Sequence, residues 1–296
     1  MSLCLLLDTS SLMYRAFFAL PQSIADAEGN PVNAVHGYLD MTARLVAGHR
    51  PARVIHVYDH DWRPAQRVEA FAGYKAHRPA DPDALPPQFA LLRRVLEALG
   101  ETQAEAPGWE ADDAIAALCA RAPSGGRVDI VTGDRDLLQL VADPRVRVLF
   151  TVRGVSELAE FDGAAVLEKY GVPARRYTEL AVLRGDPSDG LPGVKGVGEK
   201  TATALVQAYP DLNALLEDAA REEPVGAPLA RSRKLSAALR EAKDYITQMS
   251  HVVPVREDVE TRVWAPPRDE AALQQLSERG GLGGPLRRLQ AARDAA

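Results

Sequence analysis

Three apolar or β-branched segments in the first half of the chain each run into an aspartate, and this pattern constrains the fold more than any other feature. The segments and the acids that follow them are Leu3–Leu7 with Asp8, Arg53–Tyr58 with Asp59, and Val128–Thr132 with Asp134. Helical patterns lie between them, at Asn33–Ala47, Pro86–Leu99 and Glu110–Ala122. Strands that alternate with helices predict an α/β fold with a mostly parallel sheet and helices on both faces. In such folds ligands bind at the carboxyl ends of the strands.

The second half of the chain has a different pattern. A strand at Val146–Phe150 and a hairpin around Arg153 and Gly154 precede helices near Thr201–Ala208, Leu212–Ala220 and Pro228–Ser250. A chain of 296 residues has room for two modest domains. We therefore predict an α/β core over 1–170, a helical portion over 171–255, and a C-terminal segment over 256–296 that packs back on the core. We expect the Ala/Arg-rich tail after Pro285 to fray.

Nine acidic residues form the strongest candidate site. They are Asp8, Asp59, Glu110, Asp112, Asp113, Asp134, Asp136, Asp186 and Asp189. Strand-end placement brings several of them to one edge of the sheet, where like charges repel each other unless cations lie between them. Carboxylate oxygens suit Mg²⁺ or Mn²⁺, and two such ions ~3.5–4 Å apart can support phosphoryl chemistry.

Each of these acids also has an ordinary structural interpretation. Glu110, Asp112 and Asp113 stand where the first turn of a helix favours negative charge. Asp136 resembles a helix N-cap, and Asp134 and Asp186 suit turns. Caps and turns do not explain acids after three separate strands, so the joint pattern favours a metal site.

A basic segment with interleaved aromatic residues follows Asp59. Residues 62–79 contain Arg63, Arg67, Lys75 and Arg78 against Glu69 alone, a net charge of +3. Basic groups attract phosphates, and Tyr74 could stack on an exposed base. The alternative is an ordinary solvated loop or helix.

Glycines open a helix in the second half, in the sequence Gly193-Val-Lys-Gly-Val-Gly-Glu-Lys-Thr201. Glu199 before Lys200 breaks the P-loop pattern, and Thr201 breaks the dinucleotide-binding pattern. What remains is a glycine hairpin that exposes backbone N–H groups to a phosphate, or else a tight interhelical turn. Further candidates for phosphate contacts are Arg15 after Asp8 and a basic helix face with Arg231, Arg233 and Lys234.

Charge and cysteine content narrow the remaining function classes. A net charge of −6 and a pI near 5.6 argue against a nucleic-acid binder that works by bulk charge alone. Two cysteines, Cys4 and Cys119, cannot form a disulfide framework, so we expect a reducing, cytoplasmic setting. The first eight residues lack a signal-peptide pattern, and no apolar run approaches the ~20 residues of a membrane span.

Taken in order, the motifs resemble those of the 5′-nuclease (flap endonuclease and exonuclease) family, which includes the N-terminal nuclease domain of bacterial DNA polymerase I. The matching segments are Leu-Leu-Asp8, Val-Tyr-Asp59, Tyr-Lys75-x-x-Arg78, Pro-Gly-Trp-Glu-Ala-Asp-Asp113, Thr-Gly-Asp-Arg-Asp136, and Gly-Asp186-x-Ser-Asp189-x-Leu-Pro-Gly-Val-Lys-Gly-Val-Gly-Glu-Lys-Thr-Ala202. The similarity extends to about Pro254. Gly190 departs from the family, which usually has Asn at this position.

The resemblance implies a PIN-like α/β core, a helical arch or clamp over residues 62–92, and a helix–three-turn–helix element. It implies that Asp8, Asp59, Glu110, Asp112 and Asp134 form the inner metal site. It also implies that Asp113, Asp136, Asp186 and Asp189 bind the second ion or support it through water. Lys75 and Arg78 would contact the scissile phosphate, with Tyr74 stacked near the threaded end. Gly193, Lys195, Gly196, Gly198 and Lys200 would form the hairpin that holds duplex phosphates, with K⁺ as a candidate ion there.

We therefore expect a stand-alone, monomeric flap endonuclease or 5′–3′ exonuclease that acts on DNA with a 5′ flap, an overhang or a nick, with RNA-containing primers as a further candidate substrate. Three alternatives stay open at this point. Asp59-His-Asp61 would also suit a haloacid-dehalogenase-type phosphatase, and the acidic core would suit a PIN-type ribonuclease. A DNA-binding module without activity is the third.

Overall fold

The computed structural model describes residues 2–295 and forms a seven-stranded sheet within them. The strands are β1 (Leu3–Asp8), β2 (Arg53–Tyr58), β3 (Thr102–Glu105), β4 (Arg127–Thr132), β5 (Val146–Arg153), β6 (Glu157–Phe161) and β7 (Arg262–Trp264). Their order across the sheet is β6-β5-β4-β1-β2-β3-β7. The five central strands are parallel, and β6 and β7 add antiparallel edges. The predicted mostly parallel sheet is confirmed.

Helices cover both faces of the sheet. Their bounds are α1 (Thr9–Ala19), α2 (Asn33–His49), α3 (Ala65–Ala70), α4 (Pro86–Leu99), α5 (Ala111–Ala120), α6 (Gly163–Tyr170), α7 (Tyr177–Arg184), α8 (Glu199–Ala208), α9 (Leu212–Ala220), α10 (Ala227–Ala230), α11 (Arg233–Glu241), α12 (Lys243–Val252), α13 (Glu270–Glu278) and α14 (Gly283–Asp294). Short 3₁₀ helices occupy Asp136–Leu140 and Ala174–Arg176. None of the helices within residues 2–295 combines the length and the hydrophobicity that a membrane span requires.

Side chains along each strand point alternately to the two faces of the sheet and pack into two separate cores. On β1, Leu5 and Leu7 pack with α1, α2, α4, α13 and α14, whereas Leu6 faces the opposite core with α5 and the helices of the second half. Successive residues of a strand point to opposite faces, so a strand that is apolar on both faces must be covered on both. This explains why the strand sequences are largely apolar. Since both faces of the sheet are covered, the candidate acids Asp8 and Asp59 lie at strand ends.

The second half differs from the expected helix pattern in one place. The helix expected at Pro228–Ser250 is divided into α10, α11 and α12. Ser232 is the N-cap of α11, and its hydroxyl accepts the N–H of Leu235 at 3.2 Å. A hydroxyl that satisfies the free N–H groups of a first turn starts a new helix inside the apolar pattern.

The tail after Pro285 is helical, so the expectation that it frays was wrong. Helix α14 packs against α2, with Leu286 and Leu289 buried in the core. The preceding strand β7 pairs with β3 and extends the sheet. Apolar burial, rather than local helix propensity, therefore holds the end of the chain in place.

Candidate active site

The carboxyl ends of three neighbouring strands bring the first acids together. Asp8 ends β1, Asp59 directly follows β2, and Asp134 lies two residues beyond β4. Strand β1 lies between β4 and β2 in the sheet, with Leu7 opposite Val131 and Asp8 opposite Val57. The predicted convergence of strand-end acids is therefore a direct result of strand order.

Four of the nine candidate acids have raised pKa values, which shows that their negative charges are unfavourable in this environment. Burial, with the charges of Asp59 and Asp134 as further causes, raises the pKa of Asp8 to about 7. Burial and the charges of neighbouring aspartates also raise the pKa values of Asp112, Asp134 and Asp136. Loss of water and repulsion between carboxylates both favour the protonated form, and a nearby cation would reverse this.

The nine predicted metal ligands divide into two groups by their partners. Glu110, Asp113 and Asp189 each pair with a basic side chain. Within residues 2–295 the other six form no ion pair: Asp8, Asp59, Asp112, Asp134, Asp136 and Asp186. Six aspartates without a basic partner are oxygen donors of the kind that hard divalent cations bind. The donor chemistry therefore fits Mg²⁺ or Mn²⁺.

The side chains do not enclose an ion in their present arrangement. In the described part of the chain, no three Asp, Glu, His or Cys side chains stand in a geometry that could hold one metal ion. Several acids are instead held by protein donors. Asp59 accepts the N–H of Ala111 at 2.8 Å and the hydroxyl of Ser10, and Asp186 accepts the N–H of Ser188 at 2.8 Å.

Asp113 has a structural role in this arrangement. Its two carboxylate oxygens accept from the Arg67 guanidinium at 2.7 and 2.8 Å, and one of them also accepts the N–H of Arg256 at 2.9 Å. Asp113 and Glu110 also form a reciprocal capping box at the start of α5. The ordinary interpretation as helix-start acids therefore describes both residues.

Arg67 and Tyr74, predicted to contact nucleic acid, lie in the interior. The Arg67 side chain is 6% exposed and also donates to Glu110 and to the carbonyl oxygen of Val252. The Tyr74 hydroxyl donates to Glu110 at 2.7 Å. Residues 62–92, expected to form an arch or clamp, consist of α3, turns and the first half of α4, and these buried contacts hold α3 and the turn around Tyr74 to the start of α5. In this conformation neither side chain is available to stack on a base or to meet a phosphate.

Lys75 and Arg78 lie beside the acids. The Lys75 ammonium pairs with Glu110 and lies 3.9 Å from Asp189, and the Arg78 guanidinium donates to Asp189 at 2.9 Å. The Lys75 N–H donates to the Asp189 carbonyl at 2.9 Å, which joins the turn around Lys75 to the loop with Asp186 and Asp189. The structure thus brings both predicted phosphate-contacting residues to the acidic cluster.

Gly190, where the family usually has Asn, permits this junction. Its φ is +76°, and a Cβ there would lie 2.7 Å from the carbonyl oxygen of Gly73. A side chain at this position would push the turn around Lys75 away from the loop. Glycine therefore allows the two segments to approach closely.

The glycine hairpin has a buried base and an exposed tip. Val194 and Val197 are buried, whereas Gly196, with φ +78°, and Gly198 have open space around their Cα atoms. Lys195 and Lys200 are exposed beside them. Gly193 is closely packed, since its N–H donates to the Tyr245 hydroxyl at 3.0 Å and a Cβ would collide with Arg184.

The other basic candidates differ in their availability. Arg231, Arg233 and Lys234 are exposed at the start of α11. Arg15 is half-buried and donates to the carbonyl oxygens of Thr151 and Val152, at 2.9 and 3.3 Å. Arg63 donates to the carbonyl oxygens of Tyr74 and Ala72 at 2.6 and 2.8 Å. In this structure Arg15 therefore joins α1 to β5, and Arg63 holds the turn around Tyr74.

Three hydroxyl groups beside the acids were not predicted from the sequence. Ser10 and Ser11 directly follow Asp8 and Thr9, and Thr132 lies two residues before Asp134. All three hydroxyls hydrogen-bond to the acids or to their loops. The signal was present, because small hydroxyl residues flank the acids at two strand ends.

Comparison with known proteins identifies the family. Residues 3–171 match the family described as 5′-3′ exonuclease, N-terminal resolvase-like domain, and residues 172–275 match 5′-3′ exonuclease, C-terminal SAM fold. The chain belongs to the 5′-3′ exonuclease family. It is 48% identical over 302 residues to a 5′-3′ exonuclease of Streptomyces coelicolor, covering 96% of this chain and 98% of that protein.

Other members of the family include longer proteins. Identity to a 5′-3′ exonuclease of Mycobacterium tuberculosis is 41%, covering 98% of this chain and 97% of the relative. Identity to DNA polymerase I of the same species is 43%, covering 80% of this chain but 27% of the polymerase. As members of this family, these relatives identify the chain as an enzyme of the 5′-3′ exonuclease type.

Solved structures share the fold at low sequence identity. The T5 D15 protein co-crystallised with metal ions has a TM-score of 0.68 and 16% identity, covering 98% of this chain and 99% of that one. The catalytic core of Rad2 in complex with a DNA substrate has a TM-score of 0.61 and 17% identity, covering 98% and 92%. The predicted PIN-like core with a helical second portion is the fold of both.

Proposed function

We propose that this chain is a divalent-metal-dependent, structure-specific nuclease that hydrolyses DNA phosphodiesters at 5′ ends and 5′-flap junctions in replication and repair. The observation that carries the proposal is the group of six aspartates without a basic partner, three of them at the carboxyl ends of neighbouring strands, whose charges act on one another beside Lys75. Membership of the exonuclease family supports a nuclease over a phosphatase.

The six aspartates would hold Mg²⁺ or Mn²⁺, in two or more ions, with Glu110, Asp113 and Asp189 supporting them. When bound, such ions would neutralise negative charge that develops on the phosphate during cleavage. Solved structures of the same fold that contain metal ions support this assignment. Lys75 and Arg78 would donate to the scissile phosphate in exchange for their present partners, Glu110 and Asp189.

The second half of the chain would bind the duplex. The exposed N–H groups of Gly196 and Gly198, with Lys195 and Lys200, would meet phosphates of one strand, and K⁺ is a candidate ion at this hairpin. Arg231, Arg233 and Lys234 would contact the backbone farther along. Rad2 structures that contain DNA support DNA as the partner.

The substrates proposed are DNA with a 5′ flap, an overhang or a nick, and RNA-containing primers as a second class. We propose that the protein acts as a monomer. Cys4 and Cys119 are both free, which suits the reducing cytoplasm in which we place the reaction.

A labelled 5′-flap assay tests the proposal directly. Cleavage should require Mg²⁺ or Mn²⁺ and should stop when the ion is chelated. Asp134→Asn should reduce the turnover rate by about 10²- to 10³-fold, because it removes one of the charges that attract the ions. Glu222→Gln, at an exposed acid away from the sheet edge, should cleave at the wild-type rate.

Two further substrates separate the alternatives. An all-RNA flap tests for a ribonuclease, and a small phosphate ester tests for a phosphatase. Faster cleavage of either substrate than of the DNA flap, or no cleavage of any flap with either ion, would overturn the proposal.

A further inference from the structure

One buried hydroxyl joins two of the candidate metal-binding acids. Thr132 is the last residue of β4 and is fully buried. Its Oγ1 donates to Asp8 Oδ2 at 2.6 Å and accepts the N–H of Asp134 at 2.9 Å. A hydroxyl has one hydrogen, so accepting from Asp134 leaves that hydrogen for Asp8. The side chain of Asp8 and the backbone that carries Asp134 are therefore fixed to the same atom.

The surrounding contacts leave this arrangement little freedom. Ser11 Oγ accepts the N–H of Gly133 at 2.8 Å, and the N–H of Ser11 donates to Asp8 Oδ1 at 3.1 Å. A Cβ on Gly133 would lie 3.0 Å from Ser11 Oγ and from Thr151 Oγ1. The turn between Thr132 and Asp134 is thus packed on both sides, and its hydrogen bonds set its position.

Threonine suits this position for two separate reasons. Its branched Cβ restricts the side chain to few rotamers within a strand, which directs the hydroxyl toward Asp8. Valine would fill the same space but would leave the Asp134 N–H without its acceptor and Asp8 without a charge-assisted hydrogen bond. Serine would keep both hydrogen bonds.

We propose that Thr132 is a positioning residue that sets the separation of the Asp8 and Asp134 carboxylates and thereby the affinity of the site for a divalent ion. This inference rests on the proposed function, since it assigns those two acids to the ion. Groups that orient metal ligands typically change metal affinity or activity by about 10- to 100-fold when they are removed.

Three variants isolate the hydroxyl from the packing. Thr132→Val removes it, and Thr132→Ser retains it. Thr151→Val is the matched control, because Thr151 is also buried, lies against the same turn, and its hydroxyl has no hydrogen-bond partner among residues 2–295. Each variant is compared with the wild type in Mn²⁺ binding without DNA, measured by electron paramagnetic resonance, in kcat and KM on a 5′ flap, and in urea unfolding.

Thr132→Val should weaken Mn²⁺ binding and lower kcat by about 10- to 100-fold, with KM for the flap within about twofold of the wild type. Thr132→Ser should remain within about threefold in both measurements, and Thr151→Val should match the wild type. A purely structural role would lower unfolding stability in Thr132→Val without this change in Mn²⁺ affinity.

Wild-type Mn²⁺ affinity in Thr132→Val, or an equal loss in Thr151→Val, would overturn the inference while leaving the proposed function intact. A wild-type protein that binds Mn²⁺ but cleaves no flap would overturn the proposed function, and Mn²⁺ affinity would still decide the role of Thr132. Absence of Mn²⁺ binding by a wild type that still cleaves the flap would overturn the inference alone, and absence of both Mn²⁺ binding and flap cleavage would overturn both.

Discussion

Arg67 and Arg78 belong to the same basic segment but have different environments. The Arg67 side chain is 6% exposed and binds Glu110, Asp113 and the Val252 carbonyl, whereas Arg78 is 36% exposed beside Asp189. The guanidinium of Arg67 thereby joins α3, α5 and the end of α12. Arg67, which was predicted to bind nucleic acid because of its charge, thus stabilises the fold instead.

Arg67→Ala should destabilise the protein by about 3–5 kcal/mol, because it leaves the fully buried Asp113 without its charged partner. Urea unfolding measures this loss. Arg231→Ala, at an exposed arginine, should change stability by less than about 0.5 kcal/mol. Unchanged stability in Arg67→Ala, together with weaker flap binding, would instead assign Arg67 to DNA.

The sequence predicted that acids at strand ends would converge, but it did not predict which basic side chains would pair with the acids of the candidate site. The acids follow apolar strands, and strand order alone brings Asp8, Asp59 and Asp134 together. The partners of Arg67 lie 43, 46 and 185 residues away along the chain. Contacts over such separations depend on tertiary packing, which local patterns do not encode.

At the scale of elements, the pattern of apolar residues predicted the first and last residues of several strands and helices correctly. Examples are β2, α4 and α9. Strand β3, Thr-Gln-Ala-Glu, escaped prediction because it has four residues and one apolar side chain. Its conformation is fixed by pairing with β2 and β7 rather than by its own sequence. The conformation of such a short strand near the edge of a sheet depends on pairing with neighbouring strands.

One carboxylate joins three elements of the second half. Asp218 of α9 accepts from the Tyr209 hydroxyl at 2.6 Å and from the N–H groups of Val225 and Gly226, both at 2.9 Å. Burial opposes its ionisation, but these hydrogen bonds outweigh burial and lower its pKa below the ordinary 3.8. The charged form of Asp218 thus ties the end of α8 to the loop before α10.

Asp218→Asn should reduce stability at pH 7 by about 1.5–3 kcal/mol, since hydrogen bonds to a charged group are lost. A lowered pKa in the folded state contributes stability above 3.8, and this contribution is lost as the pH falls through the lower, folded-state value. The difference between wild type and variant should therefore narrow on acidification. Urea unfolding between pH 7 and 3 measures it.

Glu217→Gln is the control for this titration, because its side chain is exposed on the same helix. It should change the free energy of unfolding at pH 7 by less than about 0.5 kcal/mol. A stability difference for Asp218→Asn that stays constant down to pH 3 would contradict the role of the charge.

At the scale of the whole molecule, the net charge of −6 conceals an uneven distribution. Nine acids were assigned to the candidate site, and the six without a basic partner remain concentrated there. Exposed basic residues instead occur at the glycine hairpin and at the start of α11. The low pI therefore reflects the acids of the candidate site, whereas the surface proposed to bind DNA carries exposed basic side chains.

Helix α14 lies near the amino ends of β2 and β3, away from the acids at the carboxyl ends of the strands. Leu289 and Arg293 of α14 line a cavity at the amino ends of β2 and β3, with Arg53 and Thr102. Arg293 pairs with Glu101, and Arg288 pairs with Asp40 of α2 at 2.7 Å. Residues of α14 thus bind α2 and the segment that leads into β3.

Leu289→Ala should destabilise the protein by about 2–5 kcal/mol, because it removes a fully buried side chain from the core between α14 and α2. The turnover rate on a 5′ flap should stay within about twofold of the wild type at temperatures where the variant is folded, since the acids lie at the other end of the strands.

Arg287→Ala is the control, because Arg287 is exposed on the same helix, and it should change neither the stability nor the turnover rate. Urea unfolding and the flap assay on the same preparations measure the two effects. Unaltered unfolding in Leu289→Ala would mean that α14 contributes little to the fold, whereas a large loss of turnover in folded protein would mean that the C-terminal segment reaches the active site.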